Sequence, residues 1–157
     1  MSMKTLSRIA LPLLALSAIA TSRADAQALT LEQAKTAMDA AEAEARRNSW
    51  NLTIVVAGAD GIPVYLRRMD GASPRSYDIA MGKVRTALAA GMATGDYGQA
   101  LAAGRVTDTI PNGITFEGGY PLRRGGAIIG AMSASGARGS EDAQAVRAGM
   151  AAIGIQP

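Results

Sequence analysis

The sequence of 157 residues contains neither cysteine nor histidine. Without cysteine the chain forms no disulfide, so its stability must come from packing or from the association of subunits. Without histidine it cannot build a Ser-His-Asp triad, a Cys-His pair or a histidine-ligated zinc site. Any chemistry must therefore use carboxylates, Tyr, Lys, Arg, Ser, Thr, Met or backbone groups.

Long apolar runs are also scarce, and the main one lies close to the N-terminus. Lys4 and Arg8 precede an uncharged run over residues 9–22, and an Ala-x-Ala site follows at residues 24–26. This pattern is typical of a secretory signal peptide, and its apolar part is short for a membrane span. We therefore expect a signal peptide over residues 1–26, and one exported domain over residues 27–157 that is periplasmic or secreted.

Aromatic residues and excess charge are equally limited, with one Trp, one Phe and a formal net charge of +3. Removal of Lys4, Arg8, Arg23 and Asp25 with the signal peptide reduces this charge to +1. A nearly balanced chain offers neither a basic stripe nor the aromatic platforms that bind nucleic acid. The composition therefore argues against nucleic acid as a partner.

Apolar periodicity predicts an alternation of helices and short strands. Thr30 and Gln33 have the spacing of a capping box before an amphipathic helix. Ser73, Thr94 and Ser140 are further expected caps, and Asp60-Gly61 predicts a hairpin turn. Strands are expected over residues 52–57, 64–69, 114–119, 120–124 and 127–135. The sequence thus predicts a single-domain α+β fold with a mostly antiparallel sheet of about five strands flanked by helices.

The stretch FEGGYPLRRGGAIIGAMSASG, residues 116–136, contains two Gly-Gly pairs around two arginines. It lacks the spacing of a phosphate-binding loop, and an apolar β-branched run follows Gly125-Gly126. Glycine at positive φ in a hairpin turn explains the second pair. The first pair, Gly118-Gly119, either shapes the wall of a pocket or only permits tight packing.

Several separated motifs resemble one family. They are RMDGA at residues 68–72, the run SYDIAMGKVRTA at 76–87, Gly118-Gly119 with Pro121-Leu122, IGAMSASG at 129–136, and Asp142 followed by RAG at 147–149. In this order they resemble the small haem-binding proteins of the HbpS and GlcG type, which are related to the C-terminal domain of PduO-like proteins. Gly58 and Ser133 depart from that pattern, since relatives often have Asp and Gly at these positions.

The resemblance implies an antiparallel sheet flanked by helices, a homo-oligomer, and haem as the ligand of some members. Exported relatives are linked to redox or haem sensing. We therefore expect an exported haem-binding or tetrapyrrole-binding protein, with a membrane sensor as a candidate partner. These features favour a binding protein over an enzyme.

The resemblance also selects candidate binding residues. Lys83 suits a propionate or another carboxylate as a point charge, unless it is a surface lysine or pairs with Asp70. Tyr120 is the candidate iron ligand or pocket residue, since Tyr and Met are the side chains left for haem iron. The remaining candidates are Gly118, Gly119, Asp70, Arg68 and Thr86.

A second hypothesis is an enzyme or binding protein for a small carboxylated metabolite. Lys83 and Asp70 would then lie near the reacting group. No two carboxylates have a spacing that by itself brings them together for acid-base work, so the catalytic residues stay unassigned.

Overall fold

The computed structural model describes residues 28–157, and the predicted signal peptide at residues 1–26 lies outside them. The helices are α1 (Leu31–Arg47), α2 (Arg75–Ala90), α3 (Thr94–Ala102) and α4 (Gly139–Ala152), and the strands are β1 (Thr53–Gly58), β2 (Pro63–Arg68), β3 (Gly119–Arg124) and β4 (Ala127–Ser135). Within residues 28–157 no helix combines the length and apolar composition needed to cross a membrane.

The four strands form one antiparallel sheet in the order β2-β1-β4-β3. The sequence predicted about five strands, and the extra one, at residues 114–119, is wrong. The amide of Ile114 bonds to the side chain of Thr86 rather than to a strand, and Gly118 has a φ of 105° that interrupts extended backbone. Residues 114–118 are therefore an irregular segment that leads into β3 at Gly119.

Helices cover both faces of the sheet. Ile54 and Val56 of β1 point toward α1 and α4, whereas Val55 and Ala57 point toward α2. Because β1 is buried on both faces, its sequence is a continuous apolar run rather than an alternating one. The molecule thus has three layers, and β3 forms one edge of the middle layer.

Small residues allow α1 and α4 to pack closely on the sheet. A Cβ at Gly149 of α4 would lie 2.5 Å from the Met132 methyl carbon and 2.6 Å from the Ala37 carbonyl oxygen of α1. The alanine-rich face of α1 lies against this contact. Close packing rather than large aromatic side chains therefore fills this core.

The predicted cap of α1 is confirmed, and the other three helix starts are corrected. Thr30 and Gln33 exchange two 3.2 Å hydrogen bonds between side chain and backbone. The expected caps were Ser73, Thr94 and Ser140, whereas α2, α3 and α4 follow Pro74, Ala93 and Arg138, one or two residues away. The Thr94 hydroxyl donates to the Phe116 carbonyl and accepts from the Gly119 amide, so it anchors β3.

Candidate functional site

A cleft runs along the outer edge of β3, and we call it the β3-edge cleft. Its outer chamber has a volume of about 520 Å³ and is lined by Gly91, Met92, Ala93, Asp96, Tyr120, Pro121, Arg123, Arg147, Gln156 and Pro157. Its inner chamber, of about 120 Å³, shares four of these residues and adds Gly95, Glu117 and Gly118. The cleft therefore joins the α2–α3 connection, the edge strand, the exposed side of α4 and the C-terminus.

Tyr120 and Arg147 meet at the junction of the two chambers. Tyr120 lies on β3 opposite Met132, and its half-buried ring packs against the core under α1 and α4. Arg147 is exposed on α4 and donates from Nη1 to Tyr120 Oη at 2.8 Å. A phenol and a guanidinium are thus held side by side in an open cleft.

Arg123 has a structural role at the other end of the outer chamber. Its guanidinium donates to the Gly126 carbonyl at 3.0 Å and to the Gly91 carbonyl at 2.8 Å. Gly91 ends α2 in the left-handed conformation, so the cation also complements the dipole of that helix.

Gly125 and Gly126 have φ values of 56° and 82°, which confirms that the second glycine pair forms a turn.

The Gly118-Gly119 pair permits close approach between the segment before β3 and its neighbours. A Cβ at Gly118 would lie 2.6 Å from Asp142 Cβ and 2.9 Å from Lys83 Nζ. A Cβ at Gly119 would lie 2.6 Å from Thr94 Cγ2 and 2.9 Å from Lys83 Cβ. Gly118 therefore lines the inner chamber and packs on Lys83, whereas Gly119 permits tight packing on Thr94 and Lys83.

Lys83 lies behind the wall of the cleft rather than at its mouth. Its side chain is 1% exposed, and Nζ donates to Asp142 Oδ2 and to the Ala134 carbonyl, both at 2.8 Å. Burial lowers the pKa of Lys83, while the charges of Asp142 and Glu117 oppose that shift. Burial likewise raises the pKa of Asp142, against the attraction of Lys83. The ion pair considered with Asp70 is therefore made with Asp142 instead.

Three other candidate residues lie outside the cleft. Thr86 is buried on α2 and accepts from the Ile114 amide at 2.8 Å, so it anchors the loop before β3. Arg68 donates to the Ala72 carbonyl, and Asp70 is exposed in the turn after β2. Because β1 and β4 separate β2 from β3, the two edge strands are about 14 Å apart. The seven candidate residues thus do not form one site.

A larger groove of about 680 Å³ lies between α3 and the segment before β3. Glycines 95 and 98 form part of its wall, and Phe116 lines it with a 68% exposed side chain. Its one ionisable lining residue is Glu117, an anion. Within residues 28–157 the groove has no lining cation, whereas Arg123 and Arg147 line the β3-edge cleft together with Asp96 and Glu117. The β3-edge cleft therefore suits an anionic ligand better than this larger groove.

The sequence did not assign roles to Arg147 or Asp142. Both residues belong to the motifs that carried the resemblance, which was the available signal. Their partners are 27 and 59 positions away along the chain. Such pairings depend on how α4 packs on the sheet, and no local pattern reveals them.

Comparison with known proteins agrees with this architecture. Residues 29–151 match the model of a family described as "Haem degrading protein HbpS-like". Protein GlcG of Escherichia coli strain K12 is 35% identical over 108 residues, which cover 68% of this chain and 81% of GlcG.

Two solved structures have a similar fold. A PduOC:heme complex superposes with a TM-score of 0.76 at 26% identity, over 82% of this chain and 96% of that one. A double mutant of Streptomyces reticuli HbpS gives a TM-score of 0.73 at 30% identity, over 94% of this chain and 97% of that one.

Proposed function

Since this chain belongs to the HbpS-like family, we propose that it binds haem, or a related tetrapyrrole, in the β3-edge cleft. The observation that carries the proposal is the Tyr120–Arg147 pair at the centre of that cleft. The heme complex of the related PduOC supports the choice of ligand.

The lining of the outer chamber suits a flat, largely apolar ligand with acidic substituents. Met92, Ala93, Pro121 and Pro157 supply apolar contact area, and about 520 Å³ is within the range of small-molecule sites. Arg147 adds a positive charge to this lining, which favours a ligand with acidic substituents. The cleft therefore offers both contact types that a haem group needs.

Tyr120 is the side chain that we propose as the iron ligand. Because the sequence has no histidine or cysteine, tyrosine and methionine are the side chains left to ligate haem iron, and Tyr120 and Met92 line the outer chamber. A phenol oxygen suits ferric iron better than a thioether does. When bound, haem supplies the redox-active iron, while the protein orients the ring and limits its exposure to water.

The other candidates take supporting roles in this proposal. Gly118 lines the inner chamber, Gly119 packs on Thr94 and Lys83, and the Lys83–Asp142 pair holds the wall behind them. Thr86 fixes the loop that precedes the wall. Arg68 and Asp70 lie beyond contact with a ligand in this cleft.

Titration with hemin tests the proposal. We expect the purified protein to give a saturable Soret shift, and Tyr120→Phe to weaken hemin binding about tenfold or more, because it removes the iron ligand and little volume. Tyr77→Phe is the matched control, since Tyr77 is 45% exposed at the start of α2. Equal affinities for the two variants would contradict the assigned site, and the absence of a saturable shift would contradict haem binding.

A small carboxylated metabolite is the second candidate ligand, favoured by the small size of the inner chamber, where Arg147 is the one lining cation among the described residues, beside Asp96 and Glu117. About 120 Å³ beside Arg147 and Tyr120 accommodates a few heavy atoms but no porphyrin ring. Such a ligand should raise the thermal midpoint by binding the folded state. A screen of short hydroxy and keto acids, with Arg147→Ala as the variant expected to lose the shift, tests this alternative. No shift at several-millimolar acid would argue against it.

We further propose that the protein is exported and that it acts in a haem or redox sensing system. The N-terminal pattern over residues 1–26 supports export. Cell fractionation with intact-mass analysis should find a periplasmic or secreted product that begins near residue 27. A cytoplasmic product that retains residue 1 would contradict export.

We also propose that the protein self-associates and that a membrane sensor is its partner. Residues of one chain line the β3-edge cleft. Light scattering tests the homo-oligomer, and crosslinking in envelope preparations with and without hemin tests the sensor contact. A sensor crosslink that depends on hemin would support the sensing role.

A further inference from the structure

Arg147 differs from the other arginines in what it contacts. Arg46, Arg47, Arg67 and Arg138 form ion pairs with carboxylates. Arg68, Arg85 and Arg123 donate to backbone carbonyls. Arg67 also donates to a phenol, Tyr65 Oη at 3.3 Å, but its charge is paired with carboxylates. Arg147 donates to the Tyr120 phenol and forms no ion pair within residues 28–157. Its positive charge therefore has no fixed carboxylate partner where it meets Tyr120.

The contact also fixes the position of the Tyr120 ring. The backbone of Tyr120 is held by β3, and its ring packs on the core, so the hydroxyl is the remaining free end. Arg147 Nη1 of α4 donates to this hydroxyl at 2.8 Å, and α4 itself packs on the sheet. A side chain that is held at both ends loses less conformational entropy when it binds a metal.

We infer that Arg147 is a positioning residue for Tyr120, which orients the phenol oxygen toward the haem iron and compensates the negative charge that this oxygen carries as a ligand. This inference rests on the proposed function. Outer partners of metal ligands commonly act in this way, and their loss lowers metal affinity about 10-fold to 100-fold. The guanidinium suits the task because it donates a hydrogen bond and carries a charge in one group.

A rival role for Arg147 is direct contact with a haem propionate, independent of Tyr120. The two roles predict different couplings between substitutions. If Arg147 acts through Tyr120, replacement of both residues costs little more than replacement of one. If Arg147 binds a propionate on its own, the two losses in hemin affinity multiply.

A double-mutant cycle with Tyr120→Phe, Arg147→Gln and the combined variant tests the inference. We expect each single variant to weaken hemin binding about tenfold or more, and the combined variant to lie within about threefold of the weaker single variant. Arg147→Lys, which keeps the charge but not the fork geometry, should recover part of the loss. Arg75→Gln is the matched control, because Arg75 is exposed at the start of α2.

The spectrum of the bound hemin gives a second readout that a structural role would leave unchanged. We expect the ferric Soret and charge-transfer bands of Arg147→Gln to move toward those of Tyr120→Phe, while Arg75→Gln keeps the parent spectrum. Multiplicative losses, or a parent-like spectrum in Arg147→Gln, would overturn the inference while leaving haem binding intact. If the parent protein fails to bind hemin, the proposed function fails instead. Circular dichroism of each variant verifies folding, and Arg147→Lys replaces Arg147→Gln in the cycle if the latter unfolds.

Discussion

At the scale of single residues, the Lys83–Asp142 pair is the most consequential contact behind the cleft. Both side chains are almost fully buried, so neither charge can turn to water when its partner is removed. Breaking a buried pair by removing one partner commonly costs about 3–5 kcal/mol, whereas replacing both partners is often close to neutral. Substitution of one partner alone should therefore lower the stability more than substitution of both.

We expect Lys83→Met and Asp142→Asn each to lower the free energy of unfolding by about 3 kcal/mol or more. The double variant should lose clearly less than the sum, because it leaves no unpaired buried charge. The side-chain amide that Asp142→Asn introduces can still accept from the Ala137 amide, which now bonds to Asp142 at 3.1 Å. Urea unfolding measures all three variants, and additive losses would contradict the coupling.

Gly118 combines a positive φ with a crowded position, and comparison with Gly125, which has a positive φ without crowding, separates these two effects. We expect Gly118→Ala to destabilise the protein by about 2–4 kcal/mol, because its φ of 105° is strained for alanine and the new methyl group overlaps Asp142. Gly125→Ala is the control, since Gly125 has positive φ but nothing within 4 Å of an added Cβ. It should cost about 1 kcal/mol. Equal losses in thermal unfolding would show that crowding at Gly118 is unimportant.

Residue roles were only partly predictable from the sequence. Family motifs selected Lys83 and Gly118, and the structure brings them into contact. The burial of Lys83 and its pairing with Asp142 were not predictable, because three elements that are far apart in the chain must pack before Nζ is enclosed. Local spacing carries no information about such an enclosure.

At the scale of elements, two carboxylates of α1 accept hydrogen bonds from side chains of β2 and α4. Glu42 accepts from Arg67 of β2, and Glu44 accepts from Gln144 of α4 at 2.6 Å. Burial raises the pKa of Glu42, but the hydrogen bonds from Arg67 and Arg46 outweigh it, so the net pKa lies below the usual value of 4.5. The hydrogen bond from Gln144, followed by that from Arg47, lowers the pKa of Glu44.

These lowered pKa values predict an acid-dependent loss of stability. A carboxyl group whose pKa is lower in the folded than in the unfolded state stabilises the fold above its unfolded pKa, and this contribution disappears as the pH falls through the folded pKa. We expect the thermal midpoint to fall between about pH 5 and pH 2, and less steeply in a Glu42→Gln/Glu44→Gln variant. Glu32→Gln is the control, since its carboxylate is 83% exposed. A parent-like slope in the double variant would contradict this assignment.

Periodicity predicted all four helices and four of the strands, because each has one strongly apolar face or a continuous apolar run. It failed at residues 114–118, where Ile114, Thr115 and Phe116 have the β-rich composition of a strand. Those residues cover the glycines of α2 and α3 instead, since a Cβ at Gly98 would lie 2.6 Å from the Thr115 carbonyl oxygen. Tertiary packing on a helix thus replaced the strand pairing that composition favoured.

At the scale of the whole molecule, large apolar side chains remain on the surface of the single chain. Phe116 is 68% exposed and Ile62 is 66% exposed. Phe116 lies beside the glycine-lined groove of about 680 Å³, whereas Ile62 stands at the turn between β1 and β2. An exposed aromatic beside a concave surface is typical of a contact surface. This arrangement supports the proposed homo-oligomer and selects the residue that tests it.

We expect the purified protein to have a mass in light scattering that is a multiple of the subunit mass, and Phe116→Ser to shift it toward one subunit. Burial of a phenylalanine contributes about 1.5–3 kcal/mol, which corresponds to a dissociation constant at least about tenfold higher after its removal. Ile62→Ser is the control, because it removes an equally exposed apolar side chain away from the groove. A parent protein that is a monomer would contradict the homo-oligomer. An unchanged mass for Phe116→Ser at concentrations near the parent dissociation constant would instead place the subunit contact on another surface.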